Sequence, residues 1–208
     1  EMGHAIHHLL SKVNYNSISG VNGVEWDAVE FPSQFLENFA YEPRVLKMFA
    51  THYKNNETLS DEMIDKIVKS KNFQSAMQML RQVEFALFDF TLHQDLYQKE
   101  EVNTLLNNIR KDIAVMIPPS NTRFQNAFSH IFAGGYSAGY YSYKWAEVLS
   151  ADAFYKFLDD GIFTSDIASK YRNIILAKGG SRSMGILFKE LMGRDLDTSA
   201  LLRLSGIQ

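Results

Sequence analysis

The 208-residue sequence contains no cysteine and only four prolines. Because cysteine is absent, the chain can form neither a disulfide framework nor a thiolate metal site, and histidine and carboxylate side chains are its strongest metal ligands. The scarcity of proline accompanies long stretches of 3.6-residue hydrophobic periodicity and few alternating β-branched runs. These features predict an all-α protein, with about eight or nine helices in a chain of this length.

A strong excess of charge of either sign is also missing. The sequence has 21 basic and 24 acidic residues, and its net charge is -3. The basic residues are scattered, so nothing draws the chain to a phosphate backbone or an anionic membrane. No transmembrane run or signal peptide is visible in these residues. We therefore expect neither nucleic acid nor a membrane as a partner, and a cytoplasmic location fits the absence of cysteine.

Hydrophobic periodicity predicts where the helices lie. On the first helix, Ile6 and Leu9 belong to an apolar side that we expect to pack. A second helix is expected from about residue 25 to residue 41, with Phe31 and Phe35 in its apolar stripe and Pro32 near its start. The remaining helices are expected at about residues 61–69 after a Ser60 cap, 73–96, 100–116 and 137–158, followed by three shorter helices that end near Leu204.

The first residues match most of a zinc peptidase motif, H-E-x-x-H. In that motif two histidines one helical turn apart bind Zn²⁺, and the glutamate acts as general base on the attacking water. Glu1 and His4 supply the E-x-x-H portion. Glu30 is the best candidate for a further ligand, because it lies on the carboxylate face of the second predicted helix. Asp27, one turn earlier, could accept a hydrogen bond from the ring nitrogen of His4 that does not bind metal.

These residues also have a simpler interpretation. E-x-x-H is a common tetrapeptide, and an acidic helix face is usually just solvated. His4 and His8 are spaced i and i+4, so they could form a metal pair by themselves. The favoured interpretation of His7 and His8 is that they are surface residues or support a ligand rather than bind metal.

Three tyrosines share the 3.6-residue period of the helix predicted at residues 137–158. Tyr136, Tyr140 and Tyr143 are spaced i, i+4 and i+7, and Gly134 and Gly135 form a loop before them. An aromatic stripe is usually core, but this helix has a separate apolar face for packing. We therefore expect the tyrosine face to line a solvent-filled groove. A phenol O–H there could stabilise the oxyanion of peptide hydrolysis, and Tyr143 is favoured for this role, then Tyr136.

Several stretches together resemble the thimet oligopeptidase family of zinc metallopeptidases. They read EMGHAIHHLL at residues 1–10, GVEWDAVEFPSQFLEN at 23–38 and FSHIFAGGYSAGYYSY at 128–143. The connecting stretch LRQVEFALFD at 80–89 is similar too. The resemblance covers essentially the whole chain, and its motifs are long enough to exclude coincidence.

The resemblance implies a multi-helical catalytic domain of the zincin type, in an enzyme that cleaves short peptides inside a channel between two lobes. It implies Zn²⁺ as cofactor, with Glu1 as the catalytic glutamate and with His4 and Glu30 as zinc ligands. Further residues match the family's substrate and transition-state residues. Those expected to be catalytic are His130, Tyr136 and Tyr143, and those expected to bind substrate are Tyr140, Gly134 and Gly135.

One departure from the family pattern lies at Glu1. The family's first zinc histidine stands immediately before this position, where the chain has no residue, and family members are several times longer. We therefore expect residues 1–208 to be the C-terminal part of a catalytic domain, cut inside its zinc motif, from an enzyme that is monomeric when intact. The alternative is that the chain by itself is a non-catalytic helical fragment that self-associates or binds peptide.

Overall fold

The computed structural model describes residues 1–207, and within them it contains helices and no strand. The prediction of an all-α fold is confirmed, although the helices are shorter and more numerous than expected. The α helices are α1 Met2–Leu10, α2 Phe31–Phe39, α3 Pro43–Phe49, α4 Asp61–Lys71, α5 Ser75–Leu92, α6 Lys99–Ile113, α7 Phe124–Ala127, α8 Ser129–Phe132, α9 Ser142–Asp160, α10 Ser165–Ile174, α11 Met184–Met192 and α12 Ser199–Leu204. Two 3₁₀ helices lie at Asn16–Ile18 and Leu176–Lys178. None of the helices in residues 1–207 is long and apolar enough to cross a bilayer.

The chain forms two compact units. The larger unit contains residues 1–73 and 145–207, and the smaller one contains residues 74–144. Each unit has its own cluster of buried apolar side chains. The sequence does not indicate this division, because the residues around positions 74 and 144 do not have the composition of a linker.

The core of the larger unit is built around the phenylalanine stripe of α2. Phe31 is fully buried and Phe35 is 4% exposed. The ring of Phe35 stacks on that of Tyr171 in α10, with 4.4 Å between ring centroids, and Phe31 meets Phe188 of α11 edge-on at 5.8 Å. The predicted apolar stripe is therefore confirmed. Aromatic pairs in these arrangements stabilise the core beyond the burial of their area.

The N-terminal part of α1 packs closely on α2, and the apolar side predicted for α1 is only partly confirmed: Ile6 packs against the core of the larger unit, but Leu9 does not. Gly3 and His7 are the buried residues of α1, whereas Leu9 is 81% exposed. A Cβ atom on Gly3 would lie 2.3 Å from the carbonyl oxygen of Pro32. The expectation for Leu9 is wrong because the absent side chain of Gly3 lets the backbones of α1 and α2 approach, and this contact decides which side of α1 is covered.

Local signals explain several helix boundaries. The side chain of Ser60 accepts a hydrogen bond from the backbone N–H of Met63, as an N-cap does, so the predicted cap of α4 is confirmed. Helix α2 begins at Phe31 rather than near residue 25, because Pro32 occupies its first turn and residues 26–30 form turns. Helix α9 begins at Ser142 rather than at residue 137, since Ala138 before it has a φ of 54°.

The smaller unit encloses a buried ion pair beside its apolar core. Helix α5 packs on α6, and Phe88 and Leu106 from these helices are fully buried. Oε1 of Glu84 accepts hydrogen bonds from Nε of Arg110 at 2.9 Å and from Nη1 of Arg81 at 2.6 Å. The contact with Arg110 joins α5 to α6, and both contacts pair the buried Glu84, which would be costly to leave unpaired.

Candidate active-site residues

The two residues predicted to bind zinc lie in contact. Nε2 of His4 is 3.0 Å from Oε2 of Glu30. His4 stands in the first turn of α1, and Glu30 stands at the N-cap position of α2, so the close approach of the two helices at Gly3 brings the side chains together. Their side chains are 24% and 14% exposed, respectively. An imidazole nitrogen and a carboxylate oxygen, partly open to solvent, are therefore adjacent.

Ser33 contacts the same carboxylate oxygen of Glu30 as His4 does. Its hydroxyl lies 2.9 Å from Oε2 of Glu30 and 2.9 Å from the backbone carbonyl oxygen of the same residue. A serine three positions after a residue at a helix start can reach back in this way. The spacing of Glu30 and Ser33 is visible in the sequence, but the sequence analysis did not identify this contact.

The other ring nitrogen of His4 has no such partner. Nδ1 of His4 is buried and, among residues 1–207, makes no hydrogen bond. The hydrogen bond that the sequence suggested with Asp27 is therefore not formed in this structure. A supporting role for Asp27 beside the proposed zinc ligands is therefore still only a prediction.

The donor set around His4 fits a zinc site in part. Imidazole nitrogen and carboxylate oxygen are both ligands that Zn²⁺ takes, and a catalytic zinc site needs three protein ligands. In the part of the chain that the structure describes, no group of three histidine, aspartate or glutamate side chains could hold a metal ion. His4 and Glu30 therefore offer two donors of the kinds that Zn²⁺ takes, and their role as its ligands stays a prediction.

The remaining residues of the first motif have different environments. Glu1 is exposed, and its carbonyl oxygen accepts a hydrogen bond from the backbone N–H of Ala5 at 3.1 Å. His8 is exposed and lies against Gly20. His7 is fully buried, and neither of its ring nitrogens has a partner among the described residues. The interpretation of His7 as a surface residue is therefore wrong.

Burial controls the protonation of His7. Burial, together with the smaller effects of the neighbouring His8 and His4, lowers the pKa of His7 from 6.5 to about 4. His7 is therefore neutral near pH 7. The burial of His7 could not be predicted from the apolar pattern of α1, which assigns the packed side to Ile6 and Leu9.

The smaller unit brings four aromatic rings together before and within the start of α9. The rings of Tyr136 and Tyr143 are stacked, with centroids 4.7 Å apart. The ring of His130 lies 6.3 Å from that of Tyr136 and 6.2 Å from that of Tyr143. Tyr140 completes the cluster at 5.2 Å from Tyr143. The helical face predicted from their spacing is wrong, because Tyr136 and Tyr140 precede α9, but the rings do meet.

Tyr140 differs from the other two tyrosines. It is 9% exposed and belongs to the core of its unit, and its hydroxyl donates to Oε1 of Gln82 at 3.1 Å. Burial raises the pKa of Tyr140, and Tyr143 raises it too, while Arg81 acts in the opposite direction. The phenol therefore stays protonated at neutral pH, and its hydroxyl is hydrogen-bonded to Gln82. Its predicted contact with substrate remains a prediction.

A compact loop joins His130 to Tyr136. The backbone N–H of Tyr136 donates to the carbonyl oxygen of His130 at 2.9 Å. A Cβ atom on Gly134 would lie 2.9 Å from Cα and from the carbonyl oxygen of His130, and Gly135 has a φ of 84°. The two glycines therefore permit the tight turn that brings Tyr136 back to His130.

Asp89 in α5 holds the segment that follows this loop. Its Oδ1 accepts from the backbone N–H of Ala138 and its Oδ2 from that of Tyr140, both at 2.9 Å. Asp89 is 1% exposed. The sequence analysis did not identify it, because an aspartate in a mostly apolar helix gives no indication of which distant backbone it will meet.

Comparisons with known proteins agree with the resemblance seen in the motifs. The pattern of Peptidase family M3 matches residues 1–207. Oligopeptidase A of Escherichia coli (strain K12) is 47% identical over the whole chain, saccharolysin of Saccharomyces cerevisiae is 35% identical, and dipeptidyl carboxypeptidase of Escherichia coli (strain K12) is 32% identical. The chain spans 31%, 30% and 31% of these proteins, which is less than a third of their length. The family expected from the sequence is confirmed, and the chain belongs to peptidase family M3.

Proposed function

We propose that this chain contributes the zinc-binding and catalytic residues of an endopeptidase that hydrolyses short oligopeptides. The observation that carries the proposal is the 3.0 Å contact between Nε2 of His4 and Oε2 of Glu30. These are the two residues that the family resemblance assigns to zinc, and they come from helices far apart in the sequence. Their convergence gives the resemblance a geometric basis.

His4 and Glu30 would hold zinc together with a third donor. In the family that donor is a histidine immediately before the position of Glu1. When bound, zinc lowers the pKa of a water and polarises the substrate carbonyl. Ser33 would keep Oε2 of Glu30 directed towards His4 through its 2.9 Å hydrogen bond.

Glu1 is proposed as general base and then general acid. It would take a proton from the attacking water and pass it to the leaving amine. Glu1 is the N-cap residue of α1 and His4 lies in its first turn, with the three-residue spacing that the zinc peptidase motif requires.

The tyrosine cluster is proposed to stabilise the oxyanion that forms in the same reaction. The hydroxyl of Tyr143, or that of Tyr136, would donate to the former carbonyl oxygen as it gains negative charge. His130 would position these rings, because it lies against both of them. Tyr140 and the loop at Gly134 and Gly135 are proposed to contact the substrate chain.

Other properties stay at the level of prediction. We propose short peptides as substrates, a cytoplasmic location, a monomeric intact enzyme, and no nucleic-acid or membrane partner. The relatives named above are peptidases, and they lend no support to the alternative of a non-catalytic helical fragment.

The test is a chimeric protein in which this chain replaces the matching segment of Escherichia coli oligopeptidase A. We expect the chimera to cleave a quenched oligopeptide, and we expect a zinc chelator or Glu1→Gln to abolish that cleavage. A matched control is Glu62→Gln, which alters an exposed glutamate in the first turn of α4 and should leave the rate unchanged. Activity that survives both the chelator and Glu1→Gln would contradict the proposal.

A further inference from the structure

We propose that Asp89 is a positioning residue for the tyrosine cluster, acting through the backbone of the segment between Tyr136 and Tyr143. This inference rests on the proposed function, because it assigns Asp89 to the proposed oxyanion-stabilising tyrosines. Asp89 is 1% exposed, so it does not itself touch substrate. Its effect on the reaction is transmitted by the two amides that it holds.

Both oxygens of the Asp89 carboxylate accept hydrogen bonds from this segment. Oδ1 accepts from the backbone N–H of Ala138 and Oδ2 from that of Tyr140, each at 2.9 Å. Nδ1 of His93, the residue that follows α5, also lies 3.0 Å from Oδ1. Hydrogen bonds from backbone amides to a buried carboxylate are stronger than those between neutral groups. A single side chain thus fixes two alternate amides of the loop.

The segment needs this support because of its backbone conformation. Ala138 has a φ of 54°, in the left-handed region, which a residue with a Cβ atom adopts at a cost. Ala138 and Tyr140 both precede Ser142, where α9 begins, so their N–H groups lie outside its helical hydrogen bonds. The two bonds to Asp89 offset the strain at Ala138 and satisfy both amides.

The turn held by Asp89 determines how the tyrosines meet. Tyr136 and Tyr143 are seven positions apart and stack at 4.7 Å although only Tyr143 belongs to α9. A continuous helix from Tyr136 to Tyr143 would not stack these two rings, and it could not include Ala138 in its left-handed conformation. With the turn at Ala138 fixed, Tyr140 also reaches Gln82 at 3.1 Å. Releasing the turn would loosen the positions of both stacked rings.

The first experiment tests the contact in the 208-residue chain by hydrogen exchange of individual amides. Asp89→Asn keeps the shape of the side chain, but its NH₂ group cannot accept a hydrogen bond from a backbone N–H. We expect exchange at the amide of Ala138 or Tyr140 to accelerate about ten- to hundredfold, as the loss of a hydrogen bond to a charged group predicts. Unchanged exchange at both amides would overturn the proposal.

Asp152→Asn is the matched control for both experiments. Asp152 is equally buried, at 2% exposure, and it also accepts from a backbone N–H, that of Asp197 at 3.0 Å. It belongs to the larger unit and touches none of the tyrosines. The control variant should lose stability without accelerating exchange at Ala138 or Tyr140 beyond the change in global unfolding.

The second experiment measures kinetics in the oligopeptidase A chimera. We expect Asp89→Asn to lower kcat at least tenfold while KM changes less than twofold and zinc content is unchanged. A merely structural role would reduce the amount of active enzyme, and it would not reduce kcat per active site. An active parent chimera whose kcat is the same with Asp89→Asn would overturn this inference, whereas an inactive parent chimera would overturn the proposed function instead.

Discussion

Nε2 of His4 and Oε2 of Glu30 lie 3.0 Å apart, although 26 positions separate the two residues in the sequence. The contact depends on the packing of α1 against the start of α2, where Gly3 meets Pro32. The third member of this arrangement is Ser33, whose hydroxyl bonds the same carboxylate oxygen. The predictions below follow from these contacts and from the tyrosine cluster.

Ser33→Ala should weaken zinc binding while leaving both proposed ligands in place. The hydroxyl of Ser33 orients Oε2 of Glu30, and removing a group that orients a metal ligand typically costs about 10- to 100-fold in affinity. Competition with a fluorescent chelator, applied to the oligopeptidase A chimera, measures the change. Ser181→Ala is the control, because that exposed hydroxyl bonds only the carbonyl oxygen of Lys178. Equal affinities in the two variants would contradict the role of Ser33.

Gly3→Ala should destabilise the chain and separate His4 from Glu30. The new Cβ atom would lie 2.3 Å from the carbonyl oxygen of Pro32, so α1 must move away from α2. We expect a loss of about 1–3 kcal/mol in the free energy of unfolding, measured in urea.

Gly185→Ala provides the control for this prediction. Gly185 is also a helical glycine, but the nearest atom to its added Cβ would be Oγ of Ser183 at 3.9 Å. Alanine is the better helix former, so this variant should gain up to about 1 kcal/mol. A Gly3→Ala protein as stable as Gly185→Ala would show that the close approach of α1 and α2 is not needed.

His7 should make the chain less stable as the pH falls below 6.5. The pKa of His7 is lowered to about 4 in the folded chain, so between pH 6.5 and 4 the unfolded state binds the proton more readily. The contribution of neutral His7 is therefore complete above pH 6.5 and is lost progressively down to pH 4, by about 3 kcal/mol. Urea unfolding at a series of pH values measures this.

Variants separate His7 from other titrating groups. His7→Leu should remove most of the pH dependence between pH 6.5 and 4, because no buried imidazole is left to protonate. The control is His52→Leu, which replaces an exposed histidine and should keep the slope of the unchanged chain. If the free energy of unfolding of His7→Leu still falls between pH 6.5 and 4 as in the unchanged chain, other groups cause the pH dependence.

Tyr143→Phe should reduce kcat of the chimera about 100- to 1000-fold, the usual cost of removing one oxyanion donor. Tyr140→Phe should act differently, because its hydroxyl bonds Gln82 in the core and its loss should lower stability by about 1 kcal/mol. Steady-state kinetics and thermal unfolding of both variants distinguish the two effects. Tyr155→Phe is the control for kcat, because the ring of Tyr155 lies under the guanidinium of Arg203 and is not part of the tyrosine cluster. If kcat stays unchanged in Tyr143→Phe, Tyr136 becomes the candidate donor.

Local patterns predicted much of the fold. The apolar stripe of Phe31 and Phe35, the Ser60 cap and the all-α class all follow from periodicity and capping within a few turns. The start of α9 could not be predicted in this way. Tyr136 and Tyr140 have helical spacing, but the buried carboxylate of Asp89 stabilises a left-handed turn between them.

In the candidate site, too, the residues in sequence motifs could be predicted, whereas contacts between distant parts of the chain could not. Glu1, His4 and Glu30 were identified from a motif and a family resemblance, both of which are visible in the sequence. The burial of His7 and the contact of Asp89 with residues about 50 positions later depend on tertiary packing. No spacing rule in a single sequence connects α5 to the segment at Ala138.

The zinc content of the oligopeptidase A chimera tests the central claim most directly. Measured by mass spectrometry of the metal after dialysis, the chimera should hold one zinc ion per chain. His4→Ala and Glu30→Ala should each lose that zinc, while His52→Ala should retain it. If both ligand variants keep a full equivalent of zinc, His4 and Glu30 do not bind the metal and the proposed site is wrong.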